Sequence, residues 1–464
     1  MNYMTYDDLV KRDEQYYSDS NWIAPLSQRD RDNLKRHRKL IGPPIMPGDP
    51  KFNPQTIQRA IAANFTNVKF DLKDRFSGEG ILDTGTGMYM SLIFGQNCYV
   101  EGSSGTGKTA MMRHISGLID APIAEFNASA EASDFSLFGA IVPQGSGTFQ
   151  FERGPLLQPG AIALMIDELP RLPAQASNVL LQAMAERNVI VPLVGAGGGS
   201  TDVLLSPGFY VQGVGNPISY GGQGLRSEAL FDRFAVGLTM CHPSTDERIE
   251  MYKAAQESVY PNTMTVSEAG TTVVGSKHII PEFTFREAHE ALKHSKSSDG
   301  LLHQACAASY AISPSAFRKT VRWNDCRYYD DIVNNRNNTL KLFTRDMKSQ
   351  LKELEQLVNE NLYEGSNPRG ELALLGMNAR ILALLDGATP YSRPLKTFEV
   401  QIKHVREAFI LSNRARLKAF PGSENEIEKI LELAASLFLP DKLFEPSVYT
   451  LQGNYQPRTA DQEP

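Results

Sequence analysis

The sequence predicts a parallel α/β core, with β-hairpin insertions, followed by a mainly helical region. Three observations carry this. Between about 55 and 240, short continuous apolar runs alternate with helical stretches. That is the pattern of a parallel sheet whose strands are covered by helices on both faces. Within this region a glycine-rich loop, "GSSGTGKT" (102–109), joins one apolar run to a helical stretch. Beyond 245, apolar residues recur at helical spacing.

Taken in order, residues 1–54 form an N-terminal extension. "RDRDNLKRHRKL" (29–40) is a mixed-charge helical candidate, and the proline-rich "IGPPIMPGDPKFNP" (41–54) breaks the chain after it, so the extension reads as a loosely attached, partly irregular arm. The α/β core occupies 55–243, with strands at "NCYVEG" (97–102), "PIAEFNAS" (122–129), "AIALMIDEL" (161–169) and "PGFYVQGVGNP" (207–217). Helices are expected at 107–119 and 173–187. Two segments, 138–156 and 189–205, alternate around glycines as β-hairpins do.

The helical region covers 244–420, with helices at 244–255, 339–362 and 370–387. Residues 421–464 supply a C-terminal helix with a Ser423/Glu426 capping box, and then a polar tail.

The 464 residues suffice for two or three domains. The net charge of −6 gives no global attraction to nucleic acid. The four cysteines, Cys98, Cys241, Cys306 and Cys326, lack ligand spacing and read as reduced, packed thiols. The N-terminus shows no apolar signal region, and the longest apolar run, 161–166, is far short of the roughly 18 residues that span a bilayer. A cytoplasmic protein without a membrane span is the expectation.

The chemistry centres on Gly102-Ser103-Ser104-Gly105-Thr106-Gly107-Lys108-Thr109. Glycines let backbone N–H groups converge on phosphates without a Cβ in the way, and the helix that follows adds its positive end. In this pattern Lys108 reaches the β- and γ-phosphates, and the Thr109 hydroxyl ligates Mg²⁺. The apolar strand 161–166 ends in Asp167 and Glu168. Asp167 is the candidate for the metal shell and Glu168 for the group that polarises the attacking water. Asn216 ends the next strand, where a neutral amide can orient water or sense the γ-phosphate. Arg233, in "EALFDRF", lies past the sheet, where an arginine can serve a neighbouring subunit's nucleotide.

The order of these parts resembles an AAA+ ATPase of the MoxR family, in the helix-2-insert group. The likeness is carried by "GSSGTGKT", "AIVPQGSGTFQFERGPLLQ", "ALMIDELPRLPAQASNVLLQAMAERNV", "FYVQGVGNP", "EALFDRF" and "GSNPRGELALLGMNARILALLDG". It covers 80–245 and resumes at about 364–417, where "KHVREAFILSNRARL" looks like the end of the family's helical lid; against that lid, the stretch near 312–360 looks like an insertion. The resemblance implies a P-loop AAA+ core with ATP and Mg²⁺ as cofactors. It also implies Asn216 as first sensor, Arg233 as arginine finger with Arg226 its competitor, and Arg369 as second-sensor arginine.

It further implies a homo-hexameric ring that remodels or activates a protein client, often with a von Willebrand A-type partner. A nucleic-acid motor or restriction-type translocase is the alternative; the hairpin offers Phe149, Phe151 and Arg153 but with Glu152 among them, and the basic "LSNRARLK" (411–418) reads as a face of a lid helix. A nucleotide-gated scaffold would require a broken catalytic set, and the set is intact.

Overall fold

A computed structural model of the chain describes residues 26–42, 84–118, 121–143, 149–192, 200–204, 209–217, 227–240, 284–297, 299–313, 344–362, 368–386, 398–419 and 424–440, with Lys11, Gly145 and Gly147. The first extended element is helix α1 (Gln28–Ile41). Helix α2 (Thr84–Phe94) leads into strand β1 (Cys98–Gly102), followed by α3 (Lys108–Leu118) and β2 (Ile123–Asn127). A short helix α4 (Asp134–Phe138) precedes the hairpin of β3 (Gly139–Pro143) and β4 (Phe149–Arg153).

Then come β5 (Ala163–Asp167), helix α5 (Ala174–Glu186), and the hairpin of β6 (Asn188–Pro192) and β7 (Ser200–Leu204). Strand β8 (Tyr210–Gly215), the single turn α6 (Glu228–Phe231) and β9 (Val236–Met240) complete the core.

The main sheet has the order β2-β5-β8-β1-β9, and every pairing in it is parallel. Strands β1, β8 and β9 are buried at every position, which is why they are nearly unbroken apolar runs. Side chains alternate between two cores. Cys98 and Val100 of β1, Ala163 and Met165 of β5, and Val236 and Leu238 of β9 enter one. Tyr99, Leu164, Ile166 and Val211 enter the other. Burial pushes the Cys98 thiol up to about 12, as expected of an inert, packed cysteine.

The helical region comprises α7 (Phe285–Leu292), a two-residue bridge β10 (Ser295–Lys296), α8 (Asp299–Ala311), α9 (Arg345–Asn361) and α10 (Pro368–Asp386). Strand β11 (Phe398–Glu399), which pairs with β10, precedes α11 (Ile402–Leu417) and α12 (Glu424–Phe438). The apolar stripe of α12, Ile427, Ile430, Leu431, Ala434, Leu437 and Phe438, is buried throughout. Of the stretch 312–360, residues 314–343 lie outside the described part, and α9 buries Leu354 and Val358. The helix expected at 244–255 and Ser423 also lie outside it.

Helix α1 departs from the reading of the N-terminal extension as loosely attached. Ser27 and Asp30 form a capping box that starts it. Asn33, Leu34, His37, Leu40 and Ile41 are buried against the body. The His37 ring shares a hydrogen bond with the Gly160 carbonyl (3.2 Å), and Asp30 pairs with Arg153 of β4 (3.6 Å).

Helix α11 runs past the β9 edge at very short range. A Cβ on Gly237 would stand 2.3 Å from the backbone nitrogen of Ala415. Among the described residues no helix is long and apolar enough to cross a membrane.

Two tests of packing follow. Gly237→Ala forces α11 off the sheet, and overpacking of this kind costs about 2 kcal/mol or more; chemical denaturation should read that loss. His37 is buried and its pKa is lowered to about 4, chiefly by desolvation. The unfolded state therefore takes up a proton first as pH falls. Stability is complete above about 6.5 and declines toward pH 4. Between pH 7 and 4.5 the wild type should lose about 2 kcal/mol more than His37→Gln, and equal losses would contradict the burial.

Candidate nucleotide site

Three strand ends meet at one edge of the sheet. Because β8 lies between β5 and β1 and all run the same way, the residues after Asp167, Gly215 and Gly102 emerge side by side. This brings together the loop 102–109, the Asp167–Glu168 pair and Asn216.

In the loop, Gly105 and Gly107 have φ of +80° and +89°, in the left-handed region that favours glycine. A Cβ on either would meet nothing within 4 Å, so the loop faces open space. Lys108 Nζ donates to the carbonyls of Gly102 (2.7 Å) and Ser103 (2.9 Å) and to Asn216 Oδ1 (3.2 Å). Burial lowers its pKa, against the opposing pull of Glu168, Asp167 and Glu101. The ammonium thus sits among three carboxylates, with backbone oxygens standing where phosphate oxygens would compete.

Thr109 Oγ1 donates to Asp167 Oδ2 at 3.1 Å. The other Asp167 oxygen accepts the backbone N–H of Glu168 at 3.0 Å. Glu168 has a left-handed backbone, φ 54° and ψ 37°, which costs a non-glycine residue about 1 kcal/mol. That turn brings its carboxylate to Asn216, whose Nδ2 donates to Oε1 at 3.3 Å. Arg171, which the sequence did not single out, lies 3.4 Å from the other oxygen. The turn packs tightly on β8, since a Cβ on Gly215 would stand 2.5 Å from the Pro170 ring.

Arg233 lies elsewhere. It precedes β9, whose Val236 pairs with Cys98 at the start of β1, so it stands at the opposite edge of the sheet from the loop. Five strand residues separate the two edges by roughly 16 Å. Phe231 and Phe234 anchor its turn by stacking on Tyr99 of β1, at 4.8 and 5.7 Å between ring centroids. Asn97 Nδ2 donates to the Arg233 carbonyl at 3.0 Å, while Asn97 Oδ1 accepts from Val211 N. The guanidinium donates to Ala229 O. Arg369 falls in the first turn of α10, but its side chain is outside the described part, as is Arg226 entirely.

Comparison with known proteins agrees with this geometry. Residues 97–236 match the ATPase family associated with various cellular activities (AAA). The chain is 29% identical over 165 residues to Chaperone MoxR1 of Mycobacterium tuberculosis (strain ATCC 25618 / H37Rv), covering 35% of this chain and 41% of that protein. It is 30% identical over 160 residues to the uncharacterized protein YeaC of Bacillus subtilis (strain 168), covering 34% and 47%. The chain thus spans less than half the length of these curated relatives.

A crystal structure from Cytophaga hutchinsonii ATCC 33406, of a protein named only provisionally as an ATPase, aligns with a TM-score of 0.51 at 14% identity. It covers 77% of this chain and 87% of that one, a likeness of fold. Parallel sheet order, the glycine loop and the family match agree: residues 97–236 form a domain matching the ATPase family associated with various cellular activities, with a MoxR chaperone among its relatives.

Proposed function

We propose that the protein hydrolyses ATP and uses the energy, as a homo-oligomeric ring, to remodel or activate a partner protein. One observation carries the hydrolysis: the ammonium of Lys108, the Thr109–Asp167 pair and the Glu168–Asn216 pair stand together at one sheet edge. In this reading the N–H groups of Ser103–Thr109 and the Lys108 ammonium hold the phosphates, Lys108 exchanging its two carbonyl partners for phosphate oxygens. Thr109 Oγ1 and Asp167 Oδ2, two hard oxygens beside an open loop, fit Mg²⁺, which takes few protein ligands and keeps waters. When bound, Mg²⁺ would neutralise charge on the transferred phosphoryl group.

Glu168 accepts the proton of the attacking water. Asn216, bonded to both Lys108 and Glu168, orients that carboxylate toward the phosphate end of the site. Arg233 and its own subunit's loop are at opposite sheet edges, which supports a finger that serves a neighbour and hence a ring. A hexamer, Arg369 as second sensor and a von Willebrand A-type partner extend the MoxR resemblance, as does a cytoplasmic setting.

In this reading the exposed Ile141 on β3 and Ile190 on β6, one on each hairpin, and Phe135 on α4 beside the first hairpin, contact the protein client. The basic run 411–418 offers little to a nucleic acid, because its Arg414, Arg416 and Lys418 are buried.

Steady-state ATPase assays test this. Lys108→Ala should abolish nucleotide binding. Glu168→Gln should bind ATP normally and lose about 10²–10⁴-fold in kcat; normal turnover would move the base elsewhere. Arg233→Ala should lose about 10³-fold or more in kcat. Mixing it with Glu168→Gln subunits, which keep the finger, should restore part of the rate. A several-fold, salt-sensitive stimulation of the wild type by DNA would overturn the client reading.

A further inference from the structure

The basic run at the end of α11 is internal, and its cations are tied to different points of the sheet and of the turn that precedes β9. Arg414 donates to the Gly237 carbonyl in the middle of β9 (3.2 Å) and pairs with Glu428 of α12 (3.4 Å). Arg416 reaches Asp232, the residue before Arg233, at 3.9 Å. Lys418 pairs with Glu101 at 2.7 Å and donates to Thr239 Oγ1 at 2.8 Å. Glu101 is the last residue before the phosphate loop. Its partner's side chain is 2% exposed and its own 4%. One helix end therefore holds both the strand that feeds the loop and the segment that carries Arg233.

Resting on the reading of the loop and of Arg233 given above, we propose that Lys418 and Arg416 are positioning residues, at the two ends of a strut that sets the subunit's own ATP site and the arginine it offers to its neighbour. Glu101 is a buried carboxylate close enough to influence Lys108. Held by Lys418, it leaves Lys108 to the phosphates. Without Lys418 it loses this 2.7 Å ion pair one residue from the loop, and its charge bears more strongly on Lys108. Arg416 acts on the other edge, where Asn378 of α10 also fixes the segment by donating to the Ala235 carbonyl at 2.7 Å. Losing Arg416 frees Asp232 to draw the adjacent Arg233 inward.

The roles predict an asymmetry that mere structural importance does not. With the full-length protein and a fluorescent, non-hydrolysable ATP analogue, Lys418→Met should raise Kd at least tenfold, and Glu101→Gln, which removes the charge that would act on Lys108, should raise it by less than Lys418→Met does. The double variant Glu101→Gln/Lys418→Met should return to within threefold of wild type, since removing both partners of a buried pair is far milder than removing one. If Lys418→Met alone does not fold, the pair Glu101→Gln and Glu101→Gln/Lys418→Met still decides. A tenfold difference between those two would overturn the proposal, as would wild-type affinity in a folded Lys418→Met.

Arg416→Met should keep the analogue Kd within twofold, lose at least tenfold in kcat, and regain rate when mixed with Lys108→Ala subunits, which supply an intact Arg233. If Arg233→Ala is slow and Arg416→Met is not, the strut fails while the finger reading stands. If Arg233→Ala is as fast as wild type, the finger reading fails and takes the Arg416 end with it. The Lys418 affinities are read independently of that outcome.

Discussion

The parallel register of β5, β8 and β1 is the constraint on which the site depends. Hydrogen bonding between strands running the same way brings their C-terminal ends to one edge. The side chains that follow those ends need only short turns to meet. Lys108 shows how completely the arrangement is used: an ammonium has three protons, and Gly102 O, Ser103 O and Asn216 Oδ1 take one each. Two of those three acceptors are backbone oxygens of the loop. A phosphate seated there competes for the same donor, so binding is an exchange of partners rather than the desolvation of a free charge.

The other edge of the sheet obeys a different logic. Phe231 and Phe234 are buried on Tyr99, so Asp232 and Arg233, which lie between them in sequence, point away from that aromatic contact. Desolvation raises the Asp232 pKa, and Arg416 and Arg233 oppose it. A charged pair half-withdrawn from water is a poor source of stability. Its value lies in fixing a geometry, and what it fixes is an arginine that cannot reach its own loop.

The parts of this arrangement were legible in the sequence to different degrees, for physical reasons. β1, β5 and β8 announce themselves because burial on both faces demands apolar residues throughout. β9, with the same burial, was missed: Gly237 and Thr239 interrupt "AVGLTM" at alternate positions, and those are where α11 packs. Helices α2, α7 and α8 also went unread. Helix α1 looked solvated because two of its buried residues, Asn33 and His37, are polar. The run 411–418 reads as a lid helix, but nothing local shows that Arg414, Arg416 and Lys418 are internal, because their sheet-side partners on β1, β9 and the α6–β9 turn lie more than 170 residues away. The left-handed turn at Glu168 carries no compositional signal, since glycine would adopt it more readily but could not supply the carboxylate.

The same contacts restrict how the helical region can move. At Gly237 the backbone of α11 is too close to β9 for sliding, and the buried Lys418–Glu101 pair beside it cannot separate without leaving charge in a dry interior. A change of angle between helices and sheet must therefore pivot at the end of α11. Helix α1 is a second tether. One end is held to the β3–β4 hairpin by Asp30–Arg153, and at the other Gly42 abuts Thr284, the N-cap of α7, where a Cβ would stand 2.5 Å from its methyl carbon. These contacts join α7, α1 and the β3–β4 hairpin in one continuous line of packing. Packing alone thus links the angle of the helical region to the element that carries Ile141.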